Sequence, residues 1–433
     1  MARHPKERPS RGISRRDFLS RGAAAAAGIP MASALLAACG DSDSGSGGTG
    51  ATTVQLASPD NPVKWPIPDS NQPIASGLPS EEGATLKLYN WDQYIWKKVV
   101  DDFAKKNNCK VEISTFNNMD EAIAKIRSGQ IDFDVFFPTI DVIGKLATSE
   151  FLQPLNHDYL PNLKNMWPQF TDPGRPFYDV DLQYTVPYTV YRTGIGYQHG
   201  MIDKQDWPDN ISNPYDVLWN PKLKGKISVY DDYREAISAS LLRNGVEDVN
   251  TGDPELLTAA KEGLLDMVEA TNPAFTINGT YEDLPKGIFA AATAWSGDMI
   301  AAPWYGKGNF DETAALLSYW WPKDGTGLIG NDNMSILKGA QSPVLAHKFL
   351  DYMLDFDAAM KNMSWVGYQP PQLEAPPEVY KDPNFKWSWI VPKNLLDCVA
   401  LPEDFDTGKQ LLELPPDVDA LWHDDWEQVT AGV

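Results

Sequence analysis

Histidine and cysteine are scarce in this chain. Its 433 residues include only His4, His157, His199, His347 and His423, scattered and without an HExxH pattern. The three cysteines, Cys39, Cys109 and Cys398, form no CxxC or Cys/His spacing. The usual grammar of a metal site is missing, so neither a metal nor a cofactor is expected. Positive charge is also in deficit: 37 Lys+Arg stand against 59 Asp+Glu, a net charge of -22. That excludes a nucleic-acid partner, because a phosphate backbone needs a basic face. It makes a cationic ligand easier to attract, besides keeping an exported protein soluble. No internal repeat is visible.

Aromatic side chains, in contrast, are plentiful, with 15 Trp, 17 Tyr and 16 Phe. Some of so many tryptophans are expected to line a site rather than fill a core. The length permits more than one core, and two lobes are the natural expectation.

Residues 1–38 read as an export signal. A basic stretch leads to the twin arginine Arg15-Arg16, followed by Asp17-Phe18-Leu19. This is the signature of the Tat exporter, which carries folded proteins. The apolar run Gly22 to Ala38 is short for a bilayer span and is broken by Pro30. It ends in Leu36-Ala37-Ala38-Cys39, a lipoprotein signal-peptidase box, so Cys39 is expected to be lipidated. Residues 39–83 are then an anchor and linker. Gly and Ser dominate to residue 53, and a Pro- and Ser-rich stretch follows that either wraps the surface or stays loose. Cys109 and Cys398 could pair in an oxidising compartment, or stay as buried thiols in a protein that folds before export.

From Ala84 the pattern alternates strand and helix. Thr85–Tyr89, Lys110–Phe116 and Phe133–Phe137 read as strands. Ile95–Lys106 and a segment from Asn118 to Ser128 read as helices, and another helix begins near Asp141. A second unit starts near Tyr191. It has strands at Ile227–Tyr230, Ala291–Trp295 and Met334–Leu337, and helices at Arg234–Asn244, 254–270 and Val344–Asp355. This order predicts an α/β fold with parallel strands covered by helices.

In open α/β sheets ligands bind beyond the carboxyl ends of the strands. The residues there are Trp91, Asp92 and Tyr94; Thr139 and Asp141; Asp232 and Glu235; Trp295 and Asp298; and Asn331 and Asp332. Aromatic and carboxylate groups recur at these exits. A primary ammonium needs a carboxylate acceptor and gains roughly 0.5–2 kcal/mol from an aromatic face. A flexible rod with two charged ends therefore calls for acids at both ends and flat apolar walls between. Each residue also has a plainer reading: Asp92, Asp141 and Asp298 suit helix caps, and Glu235 suits a first helical turn. Asp332 and Tyr368 suit turns, and Trp295 suits the core.

Several motifs carry a resemblance. They are Tyr89-Asn90-Trp91-Asp92-Gln93-Tyr94, Phe133-Asp134-Val135-Phe136-Phe137-Pro138-Thr139, Asp231-Asp232-Tyr233-Arg234-Glu235, Trp295-Ser296-Gly297-Asp298 and Gly367-Tyr368-x-Pro370. Over roughly four-fifths of its length the chain resembles the spermidine/putrescine-binding proteins of bacterial ABC importers. The resemblance implies a two-lobed periplasmic-binding-protein fold of type II, with ligand in the interlobe cleft. It implies lobes of residues 84–190 plus about 333–376, and 191–332 plus about 377–433. It implies a polyamine ligand held by Trp91, Asp92, Tyr94, Thr139, Asp141, Asp232, Glu235, Trp295, Asp298, Asp332 and Tyr368. It also implies a monomer that serves the permease and ATPase subunits of an importer, and that meets the membrane only through its lipid anchor. The expected location is the outer face of the cytoplasmic membrane. Two positions depart from the family: Gly330 replaces an aromatic, and Asp141 stands where an aromatic or serine is usual. The competing readings are an exported glycosidase working with two carboxylates, or a binding protein for another small ligand such as a sugar.

Overall fold

The computed structural model describes residues 55–129 and 132–431. Arg15, Arg16 and Cys39 lie outside the described residues.

Strand β1 (Thr85–Trp91) is central because both its faces are apolar. Leu86 and Leu88 enter one cluster with Val99, Phe103 and Phe349, while Tyr89 enters another with Trp65, Phe116 and Phe136. It pairs in parallel with β2 (Lys110–Phe116) and β3 (Val135–Phe136). Helix Lys97–Lys106 buries Val99, Val100 and Phe103 against the sheet and ends in Lys105 and Lys106, which suit its negative dipole end. Helix Met119–Arg127 begins as expected at Asn118, whose side chain accepts from the Glu121 amide.

Two long antiparallel strands, β5 (Thr185–Gln198) and β10 (Leu328–Leu337), carry the sheet from one lobe into the other. β10 continues to β3 and β4 (Leu152–Gln153), and β5 continues to β8 (Ala291–Trp295) and β9 (Leu317–Trp320). Beyond β8 lie β6 (Ile227–Val229) and β7 (Ala274–Phe275). The order β2-β1-β3-β10-β5-β8-β6-β7 thus places one parallel cluster on each side of an antiparallel pair. The second cluster is covered by helices Tyr233–Arg243 and Pro254–Thr271. Its core includes Ile195, Ile227, Ile237, Leu264 and Trp422. The β5–β10 register slips between Asp332 and Asn333, leaving Tyr188 as the extra residue on β5.

Two segments are more ordered than their composition suggests. The Pro-rich stretch before β1 is strapped to the first lobe. Trp65 is buried there, with its indole N–H donating to the Tyr178 carbonyl at 2.7 Å, and Asn71 reaches the Leu152 carbonyl at 2.8 Å. The C-terminal region packs Ile390, Val391 and Leu395 beside Met299 and Tyr319, then ends in helix Pro416–Thr430. Arg192 on β5 holds this region through a buried pair with Asp404, Nε to Oδ2 at 2.8 Å and Nη2 to Oδ1 at 3.0 Å. Cys109 and Cys398 are both free thiols. No described helix is long and apolar enough to cross a membrane.

Candidate functional site

The strand exits converge on one cavity of about 310 Å³. It is lined by all eleven residues singled out from the sequence: Trp91, Asp92, Tyr94, Thr139, Asp141, Asp232, Glu235, Trp295, Asp298, Asp332 and Tyr368. Several of the plainer readings fail. The helix after β1 starts at Lys97 with Trp96 as its cap, so Asp92 caps nothing. Asp141 lies inside the short turn Ile140–Val142 rather than at a cap. Asp332 is in β10, not a turn. Asp232 does cap its helix, Oδ1 accepting from the Arg234 and Glu235 amides at 2.9 and 3.1 Å.

Three buried acids are tied together by aromatic side chains. Asp298 accepts from the Tyr230 hydroxyl at Oδ2 and the Tyr368 hydroxyl at Oδ1, each at 2.8 Å. The Tyr230 ring stacks on Trp295 at 3.9 Å between centroids. Trp295 in turn donates its indole N–H to Glu235 Oε1 at 2.7 Å, and Thr193 donates to the same oxygen at 3.2 Å. At the other end Tyr94 donates to Asp332 Oδ2 at 2.6 Å, while its hydroxyl also meets that of Thr189. The Tyr94 and Tyr368 rings meet edge to face at 4.7 Å, which closes the chain from Asp332 to Glu235.

Burial dominates the electrostatics. Removal from water pushes Glu235 up to about 8, and the neighbouring Asp232 charge adds to the effect. Burial likewise raises Asp298 and Asp332 to about 7, against the lowering effect of their tyrosine donors. Asp232 is raised for the same reason. The oxygens differ in how they are satisfied. Both oxygens of Asp298 hold tyrosine hydroxyls, whereas Glu235 Oε2 and Asp332 Oδ1 are buried and have no partner at hydrogen-bond geometry. The Tyr191 hydroxyl faces Asp332 closely enough to lower its pKa, but lies outside hydrogen-bond geometry for Oδ1. The Thr139 hydroxyl is also unpartnered. An unpaired buried acceptor is costly, so such oxygens mark places where a donor is expected to dock.

Among the described residues no cation supplies that donor. Arg192 faces Asp404, and Arg234 gives its terminal nitrogens to the Leu412 carbonyl and to Asn250 at 2.8 and 2.6 Å. Among the described residues no group of three or more His, Cys, Asp or Glu could hold a metal ion.

Tyr191 and Tyr230 were not singled out from the sequence, yet both shape the site. Tyr191 pairs across the strands with Gly330, and a Cβ at Gly330 would meet the Tyr191 ring at 2.8 Å. The aromatic missing at 330 is therefore supplied from the facing strand. Tyr230 follows directly on β6 in a buried run, and nothing local marks its hydroxyl as the partner of Asp298. Gly367 follows a similar spatial logic. Its backbone is left-handed (φ +82°), and a Cβ there would strike the Gly297 carbonyl.

One sheet with a parallel cluster at each end of a crossing strand pair, and acids and aromatics gathered at the strand ends, defines a two-lobed periplasmic binding protein. The chain belongs to the family described as bacterial extracellular solute-binding protein, which it matches over residues 98–387. It is 28% identical over 319 residues to the spermidine/putrescine-binding periplasmic protein 1 of Haemophilus influenzae, covering 72% of this chain and 82% of the relative. It is also 28% identical over 312 residues to a putrescine/cadaverine-binding protein of Pseudomonas aeruginosa, covering 70% and 84%. Among solved structures, a chain assigned to a spermidine/putrescine ABC transporter of Listeria monocytogenes superposes with a TM-score of 0.66. That chain is 26% identical, with coverage of 80% of this chain and 98% of its own. The Tp0655 lipoprotein of Treponema pallidum, at 19% identity and a TM-score of 0.63, shares the fold.

Proposed function

We propose that this protein captures a polyamine outside the cytoplasmic membrane and delivers it, unchanged, to the permease and ATPase of an ABC importer. The observation that carries the reading is the pair of buried, unpartnered carboxylate oxygens, Asp332 Oδ1 and Glu235 Oε2, in one aromatic-walled cavity. Two ammonium groups on a methylene rod satisfy both oxygens, and the Trp295, Tyr368 and Trp91 rings cover the rod. The names of the curated relatives point to the same ligand class. A sugar brings no positive charge to draw these acids into their ionised form, and the relatives are named as binding proteins rather than glycosidases.

Lobes of residues 84–190 plus about 333–376, and 191–332 plus about 377–433, would close on the ligand about the β5–β10 pair. The acids and aromatics singled out from the sequence form the contact surface in this reading, with Thr139 adding a hydroxyl. The monomer is held to the membrane through lipid on Cys39 after Tat export directed by Arg15-Arg16. Cys39→Ala should abolish incorporation of labelled palmitate, and persistent labelling would refute the anchor.

Calorimetry of the purified protein against putrescine, cadaverine, spermidine, spermine and glucose tests the main reading. One amine is expected to bind per chain and to be recovered intact by mass spectrometry. Heat on adding glucose with none on adding any amine would overturn the assignment, and so would hydrolysis of a glycoside.

A further inference from the structure

We propose that Asp141 reads the number of charges on the ligand, pairing with an additional ammonium so that the site prefers a triamine to a diamine. The inference rests on the polyamine reading above and assigns a task to one residue within it.

Asp141 is held in place by its backbone and left free at its carboxylate. It sits two residues beyond Thr139, whose backbone bridges to Asp332. The turn Ile140–Val142 fixes it on the cavity wall, half-buried. It caps neither that turn nor helix Ile143–Thr148, and among the described residues its carboxylate has no hydrogen bond or ion pair.

The charge is nonetheless felt widely. Asp141 raises the pKa of Asp332 and Asp232, and of the Tyr191 hydroxyl, on the inner side. Toward the mouth it raises those of Asp120 and Glu413. The nearby cations are committed elsewhere. Lys145 pairs with Asp419 at 3.4 Å, and His423 approaches Asp120 at 3.9 Å. The wall thus carries a carboxylate with no countercharge, within electrostatic reach of two others.

Independent evidence that ligand charge belongs here comes from the inner acids. Asp332 and Glu235 are each only 6% exposed, and each keeps one buried oxygen without a donor. A diamine has two ammonium groups and satisfies those two oxygens alone. It leaves Asp141 repelling its acidic neighbours. A triamine brings one more ammonium, with two further N–H donors on a secondary amine, and relieves that repulsion.

The test is calorimetric dissociation constants for putrescine and spermidine, at fixed pH and ionic strength, in wild type and Asp141→Asn. Wild type should favour spermidine at least tenfold. The variant should lose at least tenfold for spermidine and less than threefold for putrescine. Asp141→Glu, which keeps the charge, should keep the preference and thereby separates charge from folding. Equal losses for both amines, or no loss for either, overturn the role of Asp141 while leaving the polyamine reading standing. Failure of wild type to bind either amine removes both.

Discussion

Ligand binding should release protons, and the number follows from the buried acids. Glu235 lies at about 8 and Asp332 at about 7 in the empty cavity, because burial disfavours their charged forms. At pH 6.5 Glu235 is then almost fully protonated and Asp332 mostly so. A docking ammonium replaces water as the stabiliser of each carboxylate, and both acids ionise. About 1.7 protons should therefore leave per ligand at pH 6.5, falling to about 0.3 at pH 8.5. Integrated over that interval, affinity should rise about a hundredfold. The terminal ammonium groups stay largely charged throughout, since an isolated alkylammonium ionises near pH 10, so the count is best taken with a diamine. Calorimetry in two buffers of different ionisation enthalpy measures the proton count directly. A count near 2.5 at pH 6.5 would add Asp298, at about 7, to the acids that ionise. Heats independent of buffer, with affinity flat from pH 6.5 to 8.5, would refute the claim that these acids are neutral before the ligand arrives. In the empty protein the same groups set the opposite trend. Their folded values lie above the ordinary carboxylate range, so the folded state holds more protons than the unfolded one. The stability they contribute is complete below about pH 4 and is lost as pH rises through about 7 to 8.

Trp295→Ala should weaken amine binding by about 1–3 kcal/mol, through loss of apolar cover and of the cation–π face. Trp295→Phe should fall between that and wild type, since a face survives while the indole donor to Glu235 is lost; equal affinities for all three proteins would remove Trp295 from the site. Trp65→Ala should cost about 3–5 kcal/mol of folding stability, because the indole is buried against Ile143 and bonded to Tyr178. A urea-denaturation loss below about 1 kcal/mol would show that the strap before β1 is not part of the core.

The site was legible where its residues sit in short local motifs. Trp91 and Tyr94, Asp232 and Glu235, and Trp295 and Asp298 each occupy one strand exit, so locating the strand placed the pair. Local capping chemistry was also readable, as at Asn118. What stayed hidden depends on pairing between distant segments. β5 carries almost no period-2 signal because nearly all of it is buried on both faces, and its 14 residues showed in the sequence only as the start of a second unit near Tyr191. Helix boundaries shifted by one to two residues at Lys97 and Tyr233, and at Tyr233 the Asp232 cap rather than the apolar pattern sets the start. The length of β10 back to Leu328 was missed, since Gly330 and three polar residues interrupt the apolar run that pairs with β5. Tyr191 entered the site opposite Gly330, a cross-strand partnership that no single-segment pattern encodes. The capture of Asp298 by Tyr230 and Tyr368 joins residues 68 and 70 positions away. Trp65 looked like part of a linker because Pro and Ser surround it, and the carbonyl that takes its indole N–H lies 113 positions later.

The slip in register between Asp332 and Asn333 sets where motion and recognition meet. Both crossing strands are continuous, so rotation of the halves is accommodated as flexing of a two-strand ribbon, and a bulge is its softest point. Asp332 stands on that axis, whereas Glu235 and Asp298 ride on the far side. A group on an axle keeps its address while the rim travels. On the reading proposed above, an incoming cation would dock at Asp332 before any rotation, and the swinging half would then bring its carboxylates to the free end of the guest. A guest too short to reach them leaves the swing without its electrostatic reward, so reach becomes a criterion for completing the motion as well as for fitting the finished cavity.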